Sequence, residues 1–185
     1  ELPQRRARRR RHDAAAMNLV RSILHLLWIA ATAIPWATAA LLMSPFVSRD
    51  RLYRFCIVWA GWVVGSGGTL LGIRNRVHGL ENLSLADGQS AILLVKHQSA
   101  WETFSIATLV PRSLAYVLKR ELVYIPFFGW TLARLRMIYI DRSQSIRAFG
   151  RIVQQGRRAL EEGMWIVMFP EGTRVPRGQA GQYHA

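Results

Sequence analysis

Uncharged residues are grouped unevenly along this chain, and the grouping predicts most of its elements. From Ile23 to Val47 run 25 residues without Asp, Glu, Lys or Arg, and only His25 interrupts their apolar character. As a helix this run would reach roughly 37 Å at about 1.5 Å per residue, against about 30 Å of bilayer hydrocarbon. A second run, Phe55 to Ile73, adds 19 uncharged residues, and Arg49, Asp50, Arg51 and Arg54 lie between the two. The pair predicts a membrane-anchoring helical hairpin over residues 17–73, either spanning the bilayer or lying in one leaflet. A secretory signal is the rival, since Arg21 precedes the first run and Ala37-Thr38-Ala39 resembles a cleavage site, but the run is too long for one. Gly61 with Gly65, and Gly68 with Gly72, have the small-x-x-x-small spacing that lets membrane helices approach, although lipid-embedded helices also simply tolerate glycine. Trp28, Trp36, Trp59 and Trp62 suit the membrane interface, and Pro35 is a place for the first helix to kink or break. Arginines flank both runs, which leaves the topology open.

From Arg74 onward the pattern changes to short apolar runs separated by helical stretches. Ala91–Val95, Leu114–Leu118, Met137–Ile140 and Trp165–Phe169 have the length and flanks of buried strands. Between the last two, Ile146, Phe149, Val153, Gly156 and Leu160 recur at steps of three and four, and Gly163 follows as a helix stop. This alternation predicts an α/β domain over residues 74–185, with helices packed on a largely parallel or mixed sheet.

Composition narrows the class. Hydrophobic residues make up 51% and charged residues 19%, which excludes a disordered chain. The net charge is +14, and 23 of the 25 bases are arginine, which points to phosphates of nucleic acid or phospholipid. Six arginines fall in residues 1–16, either a phosphate-gripping arm or residues foreign to the native protein whose start is Met17. Without that segment's six arginines and two acids the charge is still +10. A single cysteine, Cys56, excludes an internal disulfide framework and a Cys-rich zinc site. The last residues, Gly178 to Ala185, are polar loop chemistry with no closing element, so a C-terminal truncation and an incomplete domain are expected.

Four motifs offer chemistry. Lys96-His97-Gln98-Ser99-Ala100-Trp101-Glu102 follows the first strand. On one regular helix His97 and Glu102 would point about 140° apart. At a loop-to-helix junction the carboxylate can instead reach the imidazole and leave its other nitrogen as a base. Ser99-x-x-Glu102 equally reads as a capping box, with Glu102 reaching only backbone N–H. Phe169-Pro170-Glu171-Gly172-Thr173-Arg174 is a strand exit into a glycine turn, where Arg174 offers a planar fork for phosphate or is an ordinary surface residue. Lys119-Arg120-Glu121-Leu122, ahead of Ile125-Pro126-Phe127-Phe128-Gly129-Trp130, places a basic pair before an aromatic loop suited to a pocket or a membrane. Tyr139-Ile140-Asp141-Arg142 ends a strand in an ion-capable pair that also fits a surface salt bridge.

In this order, and behind an apolar N-terminal region, the four motifs resemble the glycerolipid acyltransferase family from about Met17 to Arg174. That family's first motif is His, four residues, then Asp; here the acid is Glu102, longer by one methylene. The family continues past the arginine motif with more sheet and a proline-containing motif, which this sequence does not show. The resemblance implies His97 as general base oriented by Glu102, and Arg174, Gly172, Thr173, Glu171, Lys119 and Arg120 around a substrate phosphate. It implies backbone N–H groups near Gly172 stabilising an oxyanion, and no cofactor or metal. The implied donor is acyl-CoA or acyl carrier protein, the acceptor lysophosphatidic acid at its sn-2 hydroxyl, and the setting membrane phospholipid. A bacterial inner membrane with a cytoplasmic active site is expected, with no nucleic-acid partner. No G-x-S-x-G elbow is present and Cys56 lies in the apolar region, so no covalent acyl-enzyme is expected. The alternatives are an inactive membrane-anchored lipid binder or scaffold, and transfer to another lyso-lipid or to glycerol 3-phosphate.

Overall fold

A computed structural model of the chain describes residues 2–83, 89–141 and 145–181, with backbone alone for 2–12 and 145–149. The side chains of Ile146 and Phe149, the N-terminal arginines, and all of Arg142 therefore lie outside the described residues. Helix α1 (Leu2–Met43) continues through the basic segment and through Pro35, so the proline does not break it. Helix α2 (Arg49–Leu71) follows Ser48, whose hydroxyl accepts the Arg51 N–H, and ends at Gly72 with φ 69°. Both helices are long and apolar enough to cross a membrane over Asp13–Met43 and Arg49–Leu71.

All four expected strands form, as β1 (Ile92–Leu94), β2 (Leu114–Lys119), β3 (Ile138–Ile140) and β4 (Trp165–Met168). They lie in the order β1-β4-β2-β3, and every pairing is parallel. Helices α3 (Trp101–Leu109), α4 (Phe128–Arg134) and α5 (Ser145–Glu161) connect them. Successive strand residues face opposite sides; β2 and β4 are largely buried on both, as parallel sheets favour, whereas Ile92 and Leu94 of the edge strand β1 are exposed on one. On one side Leu114, Tyr116, Trp165 and Val167 share a core with Leu52 and Tyr53 of α2 and Ala40 of α1. On the other, Ala115, Ile138 and Ile166 meet Ala159 of α5. Gly156 brings α5 close to β4, where an added Cβ would touch Ile166 Cδ1 at 3.4 Å.

The hairpin therefore shares a core with the sheet. Its turn is tied to the sheet's N-terminal edge: Arg49 pairs with Glu162 at 2.8 Å, and Ser113 donates to Asp50 at 2.6 Å. Polar bonds also zip α1 to α2. The Trp59 indole N–H donates to Thr32 Oγ1 at 3.1 Å, the Trp36 indole N–H to the Phe55 carbonyl at 3.1 Å, and His25 Nε2 lies 3.0 Å from Ser66 Oγ. Satisfied indoles between the helices stabilise the hairpin itself. The glycine expectation is corrected. A Cβ on Gly61, Gly65 or Gly72 would meet nothing within 4 Å, whereas on Gly67 it would lie 2.2 Å and 2.4 Å from the Trp101 ring. The close approach is between α2 and α3, at a glycine outside both spaced pairs.

Gly67→Leu should accordingly cost about 1–3 kcal/mol by overpacking, a drop of roughly 2–12 °C in Tm for a chain of this size. Gly61→Ala should leave Tm unchanged or slightly raised. Thermal unfolding in detergent reads both, and equal effects would discount the Trp101 contact.

Candidate active site

Parallel strands deliver the residues that follow them to one edge of the sheet, where ligands of open α/β sheets bind. Here that edge carries His97 after β1, Lys119 and Arg120 at the end of β2, Asp141 after β3 and Glu171 to Arg174 after β4. Because β4 lies between β1 and β2, the His97 and Glu171 loops are neighbours. The Lys119 end is two strand spacings from β1, about 10 Å.

His97 and Glu102 do meet. The chain turns through Gln98-Ser99-Ala100 and enters α3 at Trp101, which brings Glu102 back toward the imidazole. Glu102 Oε1 lies 2.8 Å from His97 Nδ1 and also accepts the backbone N–H groups of Gln98 at 2.6 Å and Ser99 at 2.7 Å. The Ser99 hydroxyl bonds Glu102 Oε2 and accepts the Trp101 N–H at 3.0 Å. Both readings of Ser99-x-x-Glu102 thus hold in part: the same carboxylate takes up backbone N–H groups of the turn ahead of α3 and orients His97. Burial works to raise the Glu102 pKa, but the Ser99 hydroxyl and N–H groups, with His97, outweigh it and hold the carboxyl at about 2 against an ordinary 4.5. An ionised carboxylate only accepts. The proton on His97 is therefore on Nδ1, and Nε2 is left as the basic nitrogen. The imidazole also stacks on Phe169, centroids 4.2 Å apart at 29°.

Glu171 is placed differently from the expectation. Its side chain is 1% exposed, and Oε2 accepts the His97 backbone N–H at 3.0 Å. Lys96 Nζ lies 3.5 Å from Oε1. The His97 N–H, working against burial, together with the Gly181 N–H and Lys96, holds this carboxyl below the usual range. A buried anion would repel a phosphate, so its expected place among the phosphate contacts is corrected. Gly172 has φ 62°, a region that favours glycine, and its N–H donates to the Phe169 carbonyl at 2.9 Å. That N–H is engaged within the turn itself.

Thr173 and Arg174 are exposed, and among the described residues no hydrogen bond or ion pair engages the Arg174 guanidinium. Lys119 is exposed, while Arg120 bonds Asp141 at 3.2 Å. Arg120 lines a cleft of about 340 Å³ with Tyr124, Tyr139, Asp141, Arg151 and Gln155, and neither His97 nor Glu102 reaches it. Burial pushes the Tyr139 hydroxyl in that cleft up to about 12. Sequence reasoning assigned no role to Lys96 or Phe169, although both adjoin motif residues at strand ends, the one signal that pointed to them.

Three comparisons bear on this arrangement. A model of the family described as Acyltransferase matches residues 74–185. The chain is 39% identical over 170 residues to a 1-acyl-sn-glycerol-3-phosphate acyltransferase of Pseudomonas aeruginosa, covering 91% of this chain and 65% of that one. A protein of the same name from Saccharomyces cerevisiae is 32% identical over 111 residues, 57% of this chain and 34% of the relative. The chain thus spans less than two thirds of either relative's length. Among solved structures, the 1-acyl-sn-glycerophosphate acyltransferase PlsC of Thermotoga maritima has the same fold, with TM-score 0.68 at 22% identity over 90% of this chain and 65% of that one.

Glu102→Gln keeps an amide oxygen for the capping bonds and removes the charge facing the imidazole. Catalytic turnover should fall by about 10²-fold or more, within the range for impaired acid–base chemistry. The lowered Glu102 pKa also stabilises the fold above the ordinary value near 4.5, and that contribution is lost as pH falls toward about 2. Thermal unfolding should show the wild type losing its advantage over Glu102→Gln across that window; a difference that is constant with pH would refute the charge-based account.

Proposed function

The chain belongs to the acyltransferase family, and we propose that it moves an acyl group from a thioester, acyl-CoA or acyl carrier protein, to the sn-2 hydroxyl of 1-acyl-glycerol 3-phosphate. The product would be phosphatidic acid, and the setting phospholipid synthesis at a membrane, for which the two long apolar helices supply the anchor. The observation that carries the reading is the 2.8 Å bond between His97 Nδ1 and Glu102, which leaves Nε2 as a base at the ligand-binding edge of the sheet. Nε2 takes the proton of the acceptor hydroxyl as its oxygen attacks the thioester carbonyl. The carbon–sulfur bond then breaks, and the thiolate recovers the proton from the imidazolium. The anionic Glu102 favours that imidazolium throughout. Because the thioester is already activated, no nucleophilic side chain is needed.

Arg174 is assigned to the acceptor phosphate, supported by an exposed guanidinium that is not engaged within the described residues, on the loop next to His97. A planar fork can bind two phosphate oxygens at once, which an ammonium cannot. Lys119 stands at the neighbouring strand end as a second cation.

The protein expressed from its full reading frame, given lysophosphatidic acid and acyl-CoA, should yield phosphatidic acid by mass spectrometry; formation of only free fatty acid would reject transfer. His97→Ala should remove about 10²–10⁴-fold of the turnover without releasing the protein from membranes. A loss within threefold would remove His97 from the chemistry.

Arg174→Lys should raise KM for lysophosphatidic acid by about 10- to 150-fold, the equivalent of roughly 1.5–3 kcal/mol for a charge-assisted contact. The donor KM should stay fixed. A rise in the donor KM alone would move Arg174 to the thioester carrier and leave the phosphate to Lys119.

A further inference from the structure

We infer that Glu171 is a positioning residue that holds the backbone of His97, with Lys96 as its counter-charge. This rests on the acyl-transfer reading above for its effect on rate, but the contact itself is independent of it. Both backbone polar groups of His97 are held by the turn after β4. Its N–H donates to Glu171 Oε2 at 3.0 Å, and its carbonyl accepts the Val175 N–H at 2.8 Å. Phe169, at the start of the same turn, covers the imidazole face. With Nδ1 bonded to Glu102, the residue is fixed at four points, and among the described residues no hydrogen bond engages Nε2.

The carboxylate is enclosed to do this. Its side chain is 1% exposed, against 43% for Lys96, so the pair joins a buried anion to a cation that still reaches solvent. The chain returns over it: a Cβ on Gly181 would lie 3.3 Å from Glu171 Cγ and 2.8 Å from Val175 Cγ2. Lys96 Nζ also bonds the Gln179 carbonyl, tying that return to the residue preceding His97. A buried charge is retained only when it is paired and hydrogen-bonded. Here its partners are the His97 N–H, the Gly181 N–H and the adjacent lysine.

The test uses Glu171→Ala, Glu171→Gln, Lys96→Met and the double variant Lys96→Met/Glu171→Gln, with steady-state kinetics and amide hydrogen exchange at His97 in detergent-solubilised full-length protein. Glu171→Ala should speed His97 amide exchange by at least about tenfold and lower kcat by about tenfold or more, with both KM values within twofold. Glu171→Gln, which keeps an acceptor oxygen, should retain most of both. Lys96→Met leaves the carboxylate unpaired and should lower kcat, and adding Glu171→Gln should restore part of that loss, a non-additive result. Unchanged exchange in Glu171→Ala would overturn the inference, as would strictly additive losses. A raised lysophosphatidic acid KM at fixed kcat would return Glu171 to the phosphate site. If the wild type transfers no acyl group, the functional reading fails, and the exchange rates still decide the backbone contact.

Discussion

One carboxylate oxygen, Glu102 Oε1, accepts N–H groups from His97, Gln98 and Ser99, and the rest of the site depends on this convergence. A tight turn leaves backbone N–H groups that need acceptors, and an imidazole acting as a base needs one nitrogen held so that the other is free. The turn between β1 and α3 satisfies both demands with one side chain.

That turn is in turn held by the two layers on either side of it. From the hairpin side, Trp101 fits into α2 at Gly67 and its indole N–H donates to Asn75 at 2.8 Å. Trp59 of α2 meets Phe104 of α3 edge-on, centroids 5.8 Å apart. From the sheet side, the loop after β4 holds the His97 backbone. The apolar hairpin is therefore a wall of the α/β core, and the helix bearing Glu102 is packed directly on it. Helix α2 packs on the sheet and on α3 by one face only, so it mixes buried Leu52, Tyr53 and Val63 with exposed Val58 and Trp62.

Charge is distributed along the sheet edge by strand order. Arg174 stands on the loop beside His97, whereas Arg120 is paired with Asp141 and lines a separate cleft beside β3. Two arginines that look equivalent as cations in the sequence thus differ in availability. The one with an acidic partner has part of its hydrogen-bonding capacity already engaged.

The sequence by itself determined what is local. Apolar runs of strand length became β1 to β4 within a residue or two, the 3.6-residue pattern became α5, and two long uncharged segments became α1 and α2. Each motif stood at a strand end because a parallel strand must leave its sheet into a loop. The spacing of His97 and Glu102 already allowed them to meet at a helix start. Tertiary structure alone decided which faces met. Strand order made the Glu171 loop the neighbour of His97 and buried a carboxylate that reads as polar surface in the sequence. It selected Gly67, not the spaced glycine pairs, as the point of closest approach, because the facing group was Trp101 of α3 and not α1. Periodicity records which side of an element is apolar; the identity of the surface that covers it depends on residues far away in the chain.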